Sequence, residues 1–417
     1  MHLTRLALTN FRNYAHLELD LAPGVTLLQG DNACGKTSLL EAIFYLATAH
    51  SPHAGAEREL IRWGASEEPI PFARVETEVV KRNDTRTQLE IVLVQAAEET
   101  GRGEREETRK SNPPTERGGL RVSKRIKVNG VGKRALDLLG ELNAVLFLPE
   151  DLDLVFGSPG DRRRYLDNTL SQIDPRYGRA LSKYTQVVEQ RNGLLRDFRE
   201  RAYNPNELAI WDRQLIDEGA YLIIHRAHAI ERYNQLIADI HPQLTDRREE
   251  LRLVYQPSVA LELPSLALPS GEGKLSEGEI AARFEQQLQA LRPRELGAAL
   301  TLLGPHRDDV RFLIQRNHAA APNPIDAITY ASRGQGRTIA LSLKLAEVAL
   351  MRQETGEDPI LLLDDVMSEL DATRRAALAQ TVIDAPQAII TATDLQDFSA
   401  EFLSRARVLQ VCDGAIA

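Results

Sequence analysis

The stretch that most constrains this 417-residue chain is GDNACGKTS, Gly30 to Ser38, which fits the pattern G-x-x-x-x-G-K-[ST]. A loop of this kind cradles the phosphates of a nucleoside triphosphate. Gly30 and Gly35 let the backbone curl so that successive N–H groups face the phosphates, with Asp31, Asn32, Ala33 and Cys34 filling the curl between them. Lys36 carries positive charge to the β and γ oxygens. Thr37, followed by Ser38, offers a hydroxyl to Mg²⁺. The context agrees. An apolar run, Val25 to Leu28, reads as a strand entering the loop, and SLLEAIFYLATA reads as a helix leaving it. The class is therefore α/β.

A hydrophobic fraction of 43% is ordinary for a globular chain, and no apolar run approaches the ~18 residues of a membrane span. The start, MHLTRLALTNFRNY, lacks the basic-then-apolar layout of a secretory signal. The two cysteines, Cys34 and Cys412, exclude a disulfide scaffold and lead us to expect a reducing cytosol. A net charge of −9 means that any nucleic-acid contact must use a local patch. One candidate is RVSKRIKVNGVGKR, Arg121 to Arg134, which contains Lys124, Arg125 and Lys127, alternates like a strand and turns at Asn129-Gly130. A second is Arg162, Arg163 and Arg164, at the start of a helical stretch. Charge alone equally allows both to be solvated faces.

Along the chain, LTRLALTN, AHLELDL and GVTLLQG read as strands before the loop, and ARVETEVV, TQLEIVLV and RIKVNG as strands after its helix. Residues 98–119 are dense in charge and free of aliphatic side chains, the composition of a disordered loop. AVLFLP reads as a buried strand. Beyond PEDLDLVFGSPGDRRR, helical apolar spacing runs through ELAIWDRQLIDEGAYLIIHRAHAIERYNQLIADI, enough for a short antiparallel arm. A Pro/Gly-rich break at Pro264 to Gly273 precedes another helix, EGEIAARFEQQLQAL, and a strand, DVRFLI, follows. The spacing predicts an ATPase lobe split into 1–150 and 299–417 by an inserted, mainly helical lobe at 151–298.

Two later motifs complete a triphosphate site. In PILLLDDVMSELD, Ile360 to Leu363 reads as a buried parallel strand that ends in Asp364, a carboxylate for Mg²⁺ alongside Thr37. Asp365 is placed to orient or deprotonate an attacking water. Lys36 and Asp364 lie 328 positions apart (364 − 36), too far for a compact kinase without an inserted domain. In YASRGQGRTIALSLKLAE, a turn from Ser332 to Gly336 precedes an amphipathic helix whose N-terminal N–H groups suit an anion. By itself this reads as a helix cap. Upstream of the Asp364 strand, it stands where the signature loop of ABC-type ATPases belongs.

The ordered set LALTNFRNY, GDNACGKTSLLEAI, FLPEDLDLVFGSPGDRRRYLD, GPHRDD, YASRGQGRTIALSLKLAE, LLLDDVMSELD and ITATD resembles the RecF family, relatives of the SMC and Rad50 heads. The resemblance implies an ABC-type P-loop ATPase head with an inserted helical second lobe, ATP and Mg²⁺ as cofactors, and head-to-tail dimerisation driven by ATP. Ser332, Gly334 and Gln335 of one chain would clasp the γ-phosphate held by Lys36 of the other. Arg12 looks like the residue that leans on the phosphates. Ser368, Glu369, Leu370 and Asp371 look like the D-loop, and Thr393 and Asp394 stand at the switch position. Family members bind single-stranded, gapped and junction DNA, work with RecR and RecO to place recombinase, and support the SOS response. Two departures from the wider ABC pattern imply slow hydrolysis. Pro149-Glu150-Asp151 replaces a glutamine loop, and Asp365 replaces a longer glutamate. A P-loop phosphotransferase, a transporter subunit and an SMC-like structural head are the competing readings. Dimerisation by ATP and DNA binding would separate them.

Overall fold

A computed structural model describes residues 1–67, 69–96, 121–261, 276–317 and 324–416. The charged loop expected at 98–119 and the break expected at 264–273 lie outside these residues. Strands and helices are numbered in chain order. One six-stranded sheet is antiparallel and built from β1 (His2–Phe11), β2 (Tyr14–Asp20), β4 (Phe72–Val80), β5 (Arg86–Ala96), β6 (Arg121–Val128) and β7 (Val131–Lys133), in the order β2-β1-β4-β5-β6-β7. The other contains β3 (Gly24–Gln29), β8 (Ala144–Phe147), β12 (Ile360–Asp364), β13 (Gln387–Ala392), β14 (Ala406–Cys412) and β15 (Ala415–Ile416), in the order β15-β14-β3-β13-β12-β8. Its five longer strands run parallel.

Continuous apolar runs are what a parallel sheet covered on both faces requires. Every residue of β8, β12 and β13 is buried. Alternate side chains serve different layers. Ile360 and Leu362 pack towards helix α1 (Lys36–Thr48) and the antiparallel sheet. Leu361 and Leu363 face the opposite way, towards α9 (Ala372–Asp384) and one stripe of α8 (Arg333–Thr355). Helix α1 lies between the two sheets, which is why SLLEAIFYLATA is apolar nearly all round. Gln387, fully buried on β13, stitches the sheets together. Its amide accepts from Leu3 N–H and donates to the carbonyls of Leu3 and Ala22 at 2.8–3.0 Å. The strand edge is completed by α10 (Ala400–Arg405), which leads into β14.

The helical unit contains α2 (Asp153–Phe156), α3 (Pro159–Ile173), α4 (Pro175–Asp197), α5 (Pro205–Leu244) and α6 (Glu277–Ala298). Helix α5 has 40 residues, about 60 Å at 1.5 Å per residue, and packs along α4, α6 and α8. This is a short arm. The unit also holds a three-stranded sheet of β9 (Glu249–Gln256), β10 (Asp309–Arg316) and β11 (Ile325–Asp326), followed by α7 (Ala327–Tyr330). Strand β9 is absent from the sequence reading, which passed from one helix to the next. Its alternation, with Leu251, Leu253 and Tyr255 buried, is clear once α5 is seen to cover that face. Asn234 of α5 closes the free edge by bonding both the N–H and the carbonyl of Leu253.

The lobe boundary expected at 298 moves. Leu303, Val310, Phe312, Ile314 and Ala327 pack into the helical unit's core, so that unit extends through α7. Helix α8 is the seam. Ile339, Leu343 and Leu350 join the helical core, whereas Leu341 and Leu345 pack under the parallel sheet. Among the described residues no helix is long and apolar enough to cross a membrane.

Candidate nucleotide site

The glycine-rich loop leaves the carboxyl end of β3, where Gly30 N–H donates to the Ala392 carbonyl at the end of β13. Its two glycines are fixed for different reasons. A Cβ on Gly30 would lie 2.2 Å from the Val411 carbonyl oxygen of β14. Gly35 sits at φ +116°, and a Cβ there would also meet Asn13 Nδ2 at 2.4 Å. The loop is held from two sides. Asn13 Nδ2 and Gly414 N–H donate to the Cys34 carbonyl at 3.0 and 3.1 Å, and Tyr14 OH donates to the Gly35 carbonyl at 3.1 Å. Lys36 is 7% exposed and folds back onto the carbonyls of Gly30 and Asp31. Asp31, Asn32, Ala33 and Thr37 face solvent, Ser38 is half-buried, and Cys34 is buried against Gly30 as packing.

Parallel registers bring the acidic pair to this loop. Asp364 pairs with Thr391, and Thr391 pairs with Leu28, so the carboxyl ends of β12, β13 and β3 lie side by side. Thr391 Oγ1 donates to Asp364 Oδ1 at 2.7 Å and accepts from Asp365 N–H at 2.9 Å. Asp364 Oδ2 has no hydrogen-bond partner among the described residues. That free oxygen, with the exposed Thr37 hydroxyl, suits Mg²⁺, which takes one or two protein oxygens and fills the rest with phosphate and water. Asp365 adopts φ +50°. Burial pushes its carboxyl upward, Lys36 counteracts, and Asp364 adds to the rise. Lys36, Asp364 and Asp365 therefore act on one another despite their separation in sequence.

The other expected residues are spread more widely. Arg12 makes its hydrogen bonds outside the loop. Its Nε and Nη2 grip Glu41 of α1 at 2.6 Å each, and its Nη1 bonds the Glu59 carbonyl at 3.0 Å. Glu41 is nearly fully buried and binds a bidentate guanidinium best, so Arg12 is committed there. Ser332 is the N-cap of α8, with Gln335 completing a capping box, so the expected glycine turn is the helix's own first turn. Gly334 is exposed, and Gln335 Nε2 donates to Glu249 of β9 at 2.7 Å. Ser368 Oγ donates to the Asp365 carbonyl, Glu369 pairs with Arg337 of α8, and Asp371 caps α9. Thr393 is exposed, and Asp394 caps the turn after β13.

Comparison with known proteins places this geometry. The family model for the RecF/RecN/SMC N terminal domain matches residues 2–411. "DNA replication and repair protein RecF" of Roseiflexus castenholzii is 45% identical over 99% of both chains, and that of Chloroflexus aurantiacus 42% over 100% of this chain and 99% of the relative. The chain belongs to the RecF family. A solved RecF bound to ATPrS, described as a recombination mediator protein in the RecFOR pathway, is 30% identical with a TM-score of 0.80, covering 100% of this chain and 97% of that one. An Smc head from Pyrococcus furiosus, 15% identical with a TM-score of 0.50, shares the fold alone. The fold is the ABC-type P-loop ATPase head with an inserted helical lobe.

Folding treats the six cations read from charge differently. Arg162 is 4% exposed and pairs with Asp309 through Nε and Nη2 at 2.7 and 3.0 Å, and Arg163 Nη1 donates to the Asp308 carbonyl. Both tie α3 to β10. Arg164 is exposed beside Asp161. Lys124 turns inward to Glu57, the Ala49 carbonyl and the face of Tyr45. Lys127 pairs with Glu90, which also holds Arg74. Opposite charges on neighbouring strands neutralise this face, a pattern invisible along one strand. Arg125 alone of the six is exposed without an ionic partner among the described residues. Sequence reasoning also missed Asn13, Tyr14, Thr391 and Gly414, which support the loop and the acidic pair. The motifs holding the first three, NFRNY and ITATD, were visible and Gly414 lay in no motif, but the contacts that give all four their roles span the chain. His306 of GPHRDD bonds Tyr184 OH at 2.7 Å and the Thr301 carbonyl at 3.1 Å inside the helical unit.

Proposed function

We propose that this chain is an ATP-switched, DNA-binding protein of recombinational repair, in which bound ATP joins two copies head to tail. The supporting relatives are RecF structures described with ATP and ATPrS. The observation that carries the reading is the division of the site. Lys36, Asp364 and Asp365 converge at the strand ends, while Ser332 stands exposed at the start of α8 among Gln335, Glu249 and Phe156, none of them from its own phosphate loop. Ser332, Gly334 and Gln335 serve a triphosphate only when another copy presents one.

In this reading the loop amides and Lys36 bind the phosphates, and Lys36 exchanges its two carbonyl partners for phosphate oxygens. Thr37 and Asp364 hold Mg²⁺, which neutralises charge on the phosphate oxygens when bound. Thr391 keeps Asp364 oriented. Asp365 positions water, and its short side chain makes turnover slow, below roughly 10 s⁻¹, so that ATP acts as a switch more than as fuel. Ser368 and Asp371 lie at the dimer seam, and Thr393 lies near the γ-phosphate. Arg12 acts at one remove by fixing Glu41 on α1. The DNA partner is single-stranded, gapped or junction DNA, RecR and RecO are the protein partners, and the SOS response is the setting.

The test is light scattering and DNA binding with and without ATP–Mg²⁺ for wild type, Lys36→Met and Ser332→Arg. Wild type dimerises with ATP and holds DNA more tightly. Lys36→Met loses nucleotide binding, whereas Ser332→Arg keeps nucleotide but stays monomeric. A wild type that remains monomeric at saturating ATP, with unchanged DNA affinity, overturns the proposal.

A further inference from the structure

After α1 the chain returns to β1 as a strap, residues 51–62, that is tied down along its length. Ser51 Oγ donates to Glu41 of α1 and accepts from the His53 and Ala54 N–H groups. Glu57 accepts from Tyr45 OH and pairs with Lys124, Glu59 accepts from the Gly55 N–H, and Arg12 holds the Glu59 carbonyl. Two backbone bonds of 2.8 Å, Arg12 N–H to the Leu60 carbonyl and Arg62 N–H to the Asn10 carbonyl, set the strap antiparallel to β1, with Ile61 opposite Phe11. That direction carries the next residue away from the turn at Asn13 that supports the phosphate loop, ~10 Å past the level of Arg12 at ~3.3 Å per residue.

The residue so delivered is Trp63, and its side chain is 93% exposed. Indole carries one of the largest apolar surfaces of any side chain, and proteins bury most of it wherever the fold allows. Here a fixed backbone ends in a ring presented to water, at the first position of a short 3₁₀ turn, Trp63–Glu67. Arg62 supplies charge beside it. A Cβ on Gly64 would lie 2.9 Å from Arg62 Nη1 and 3.3 Å from its Cζ, so the guanidinium folds over the residue that follows the ring, into space that glycine leaves. Arg62 and the exposed Arg58 pair with no carboxylate among the described residues, whereas both acids of the strap, Glu57 and Glu59, are engaged. An aromatic face next to an unpaired guanidinium matches one nucleotide unit, a base with its adjoining phosphate. Which kind of unit follows from the shape. A small ligand is held in a pocket that buries most of its surface, and so exposed a ring has no enclosing walls. Single strands are held on open faces, base by base. Bases in a duplex are already stacked on one another and offer no face.

We propose that Trp63 is a stacking platform for a base of single-stranded DNA, with Arg62 holding the adjoining phosphate. The inference rests on the reading that DNA is the partner, and adds where an unpaired base is met. It also suits a chain of net charge −9. Stacking needs an aromatic face rather than a surplus of basic residues, so one indole and a neighbouring arginine hold a strand where bulk charge opposes it. The tethered strap fixes the ring's place before the strand arrives, so little ordering is left for binding to complete.

Tryptophan emission reads such a stack directly. The chain has two tryptophans, and Trp211 is half-buried on α5, so Trp211→Phe leaves Trp63 as the sole reporter. ATP–Mg²⁺ is titrated first. A short oligothymidylate, an abasic deoxyribose-phosphate chain of equal length, or a duplex is then added at saturating ATP–Mg²⁺. The oligothymidylate quenches emission by about half or more, and ATP, the abasic chain and the duplex do not. Fluorescence anisotropy needs no alteration at Trp211. There Trp63→Ala binds oligothymidylate about tenfold more weakly with an unchanged salt slope, and Trp63→Phe stays within about threefold of wild type. Arg62→Gln lowers the slope of log affinity against log salt by about 0.7. All three variants keep the wild-type melting midpoint. Quenching by ATP and not by DNA gives the ring to the nucleotide site and overturns the proposal. So does a wild type that holds DNA while Trp63→Ala holds it equally well, or while the abasic chain quenches as strongly as oligothymidylate. Each of these results leaves the DNA reading standing. A wild type that binds no DNA overturns both.

Discussion

Gly30 shows how one residue can be required twice over. The loop needs a curl that faces N–H groups at phosphate, and β14 leaves no room for a methyl group beside it, with the Val411 carbonyl 2.2 Å from where a Cβ would stand. Gly30→Ala must displace either the loop or β14, and we expect nucleotide affinity to fall at least tenfold, about 1.4 kcal/mol, by titration calorimetry. Lys36, Thr37 and Asp364 were legible because their chemistry is written into short motifs. Asn13 and Thr391 were not, because an amide or hydroxyl acquires its role only when a distant strand supplies the acceptor. His306 makes a second residue-scale prediction. The Thr301 carbonyl can only accept, so Nε2 carries the proton and Nδ1 accepts from Tyr184 OH, which is the neutral ring. Burial lowers His306 to about 4, and burial lowers His241 likewise to about 4. Both folded values lie below the ordinary 6.5, so the unfolded chain takes up these protons first. Their contribution is complete above pH 6.5 and is lost as pH falls through 4, by up to about 1.4 kcal/mol per pH unit for each ring. Asp151, raised to about 6 by burial, works in the opposite direction, losing stability as pH rises through 6. His306→Asn should be about 1–3 kcal/mol less stable at pH 7.5 because two buried bonds are broken, yet its stability should fall less steeply towards pH 4 in a pH series of denaturant melts.

At the scale of elements, α8 has two duties that a sequence cannot separate. Ser332 caps its own helix through Gln335 N–H at 3.2 Å, and the same exposed hydroxyl is the group proposed to meet a neighbour's phosphate. Substitution can separate them. Ser332→Ala should cost about 1 kcal/mol of stability through the lost cap. Ser332→Asp keeps a capping oxygen and should stay within about 0.5 kcal/mol of wild type, yet it places negative charge where phosphate would dock. Both variants should lose ATP-driven association by light scattering, and only the first should shift the denaturation midpoint. If Ser332→Asp associates normally, the hydroxyl is a cap and nothing more. The long helices were legible for the reason that makes them stable, since an apolar stripe repeats over many turns in α5. Strand β9 was not, because three of its eight residues are charged and its apolar face is meaningful only against α5. Strand β14, with Val408 partly exposed at the sheet margin, carried an equally weak signal.

For the whole molecule, the proposed function asks a chain of net charge −9 to hold a polyanion. Counting basic residues along the sequence picked out six, and folding withdrew most of them: Arg162 and Arg163 into the α3–β10 seam, Lys124 and Lys127 into pairs with Glu57 and Glu90. A buried or paired cation releases few counterions when DNA arrives, so it contributes little to the salt dependence that marks phosphate contact. The two sets of cations therefore make opposite predictions. Arg162→Gln leaves Asp309 without its partner and should cost about 3 kcal/mol of stability, with the salt dependence of DNA affinity unchanged in the folded fraction. Arg125→Gln touches no pair, should leave melting unchanged, and should reduce the slope of log affinity against log salt by about one if that face meets phosphate. Fluorescence anisotropy of a gapped duplex across a salt series, beside a denaturant melt, reads both quantities. An unchanged slope for Arg125→Gln would remove the antiparallel sheet's outer face from the DNA path. The contact would then have to come from another surface, either cations left exposed elsewhere on one head, Arg164 among them, or a face formed when two heads combine.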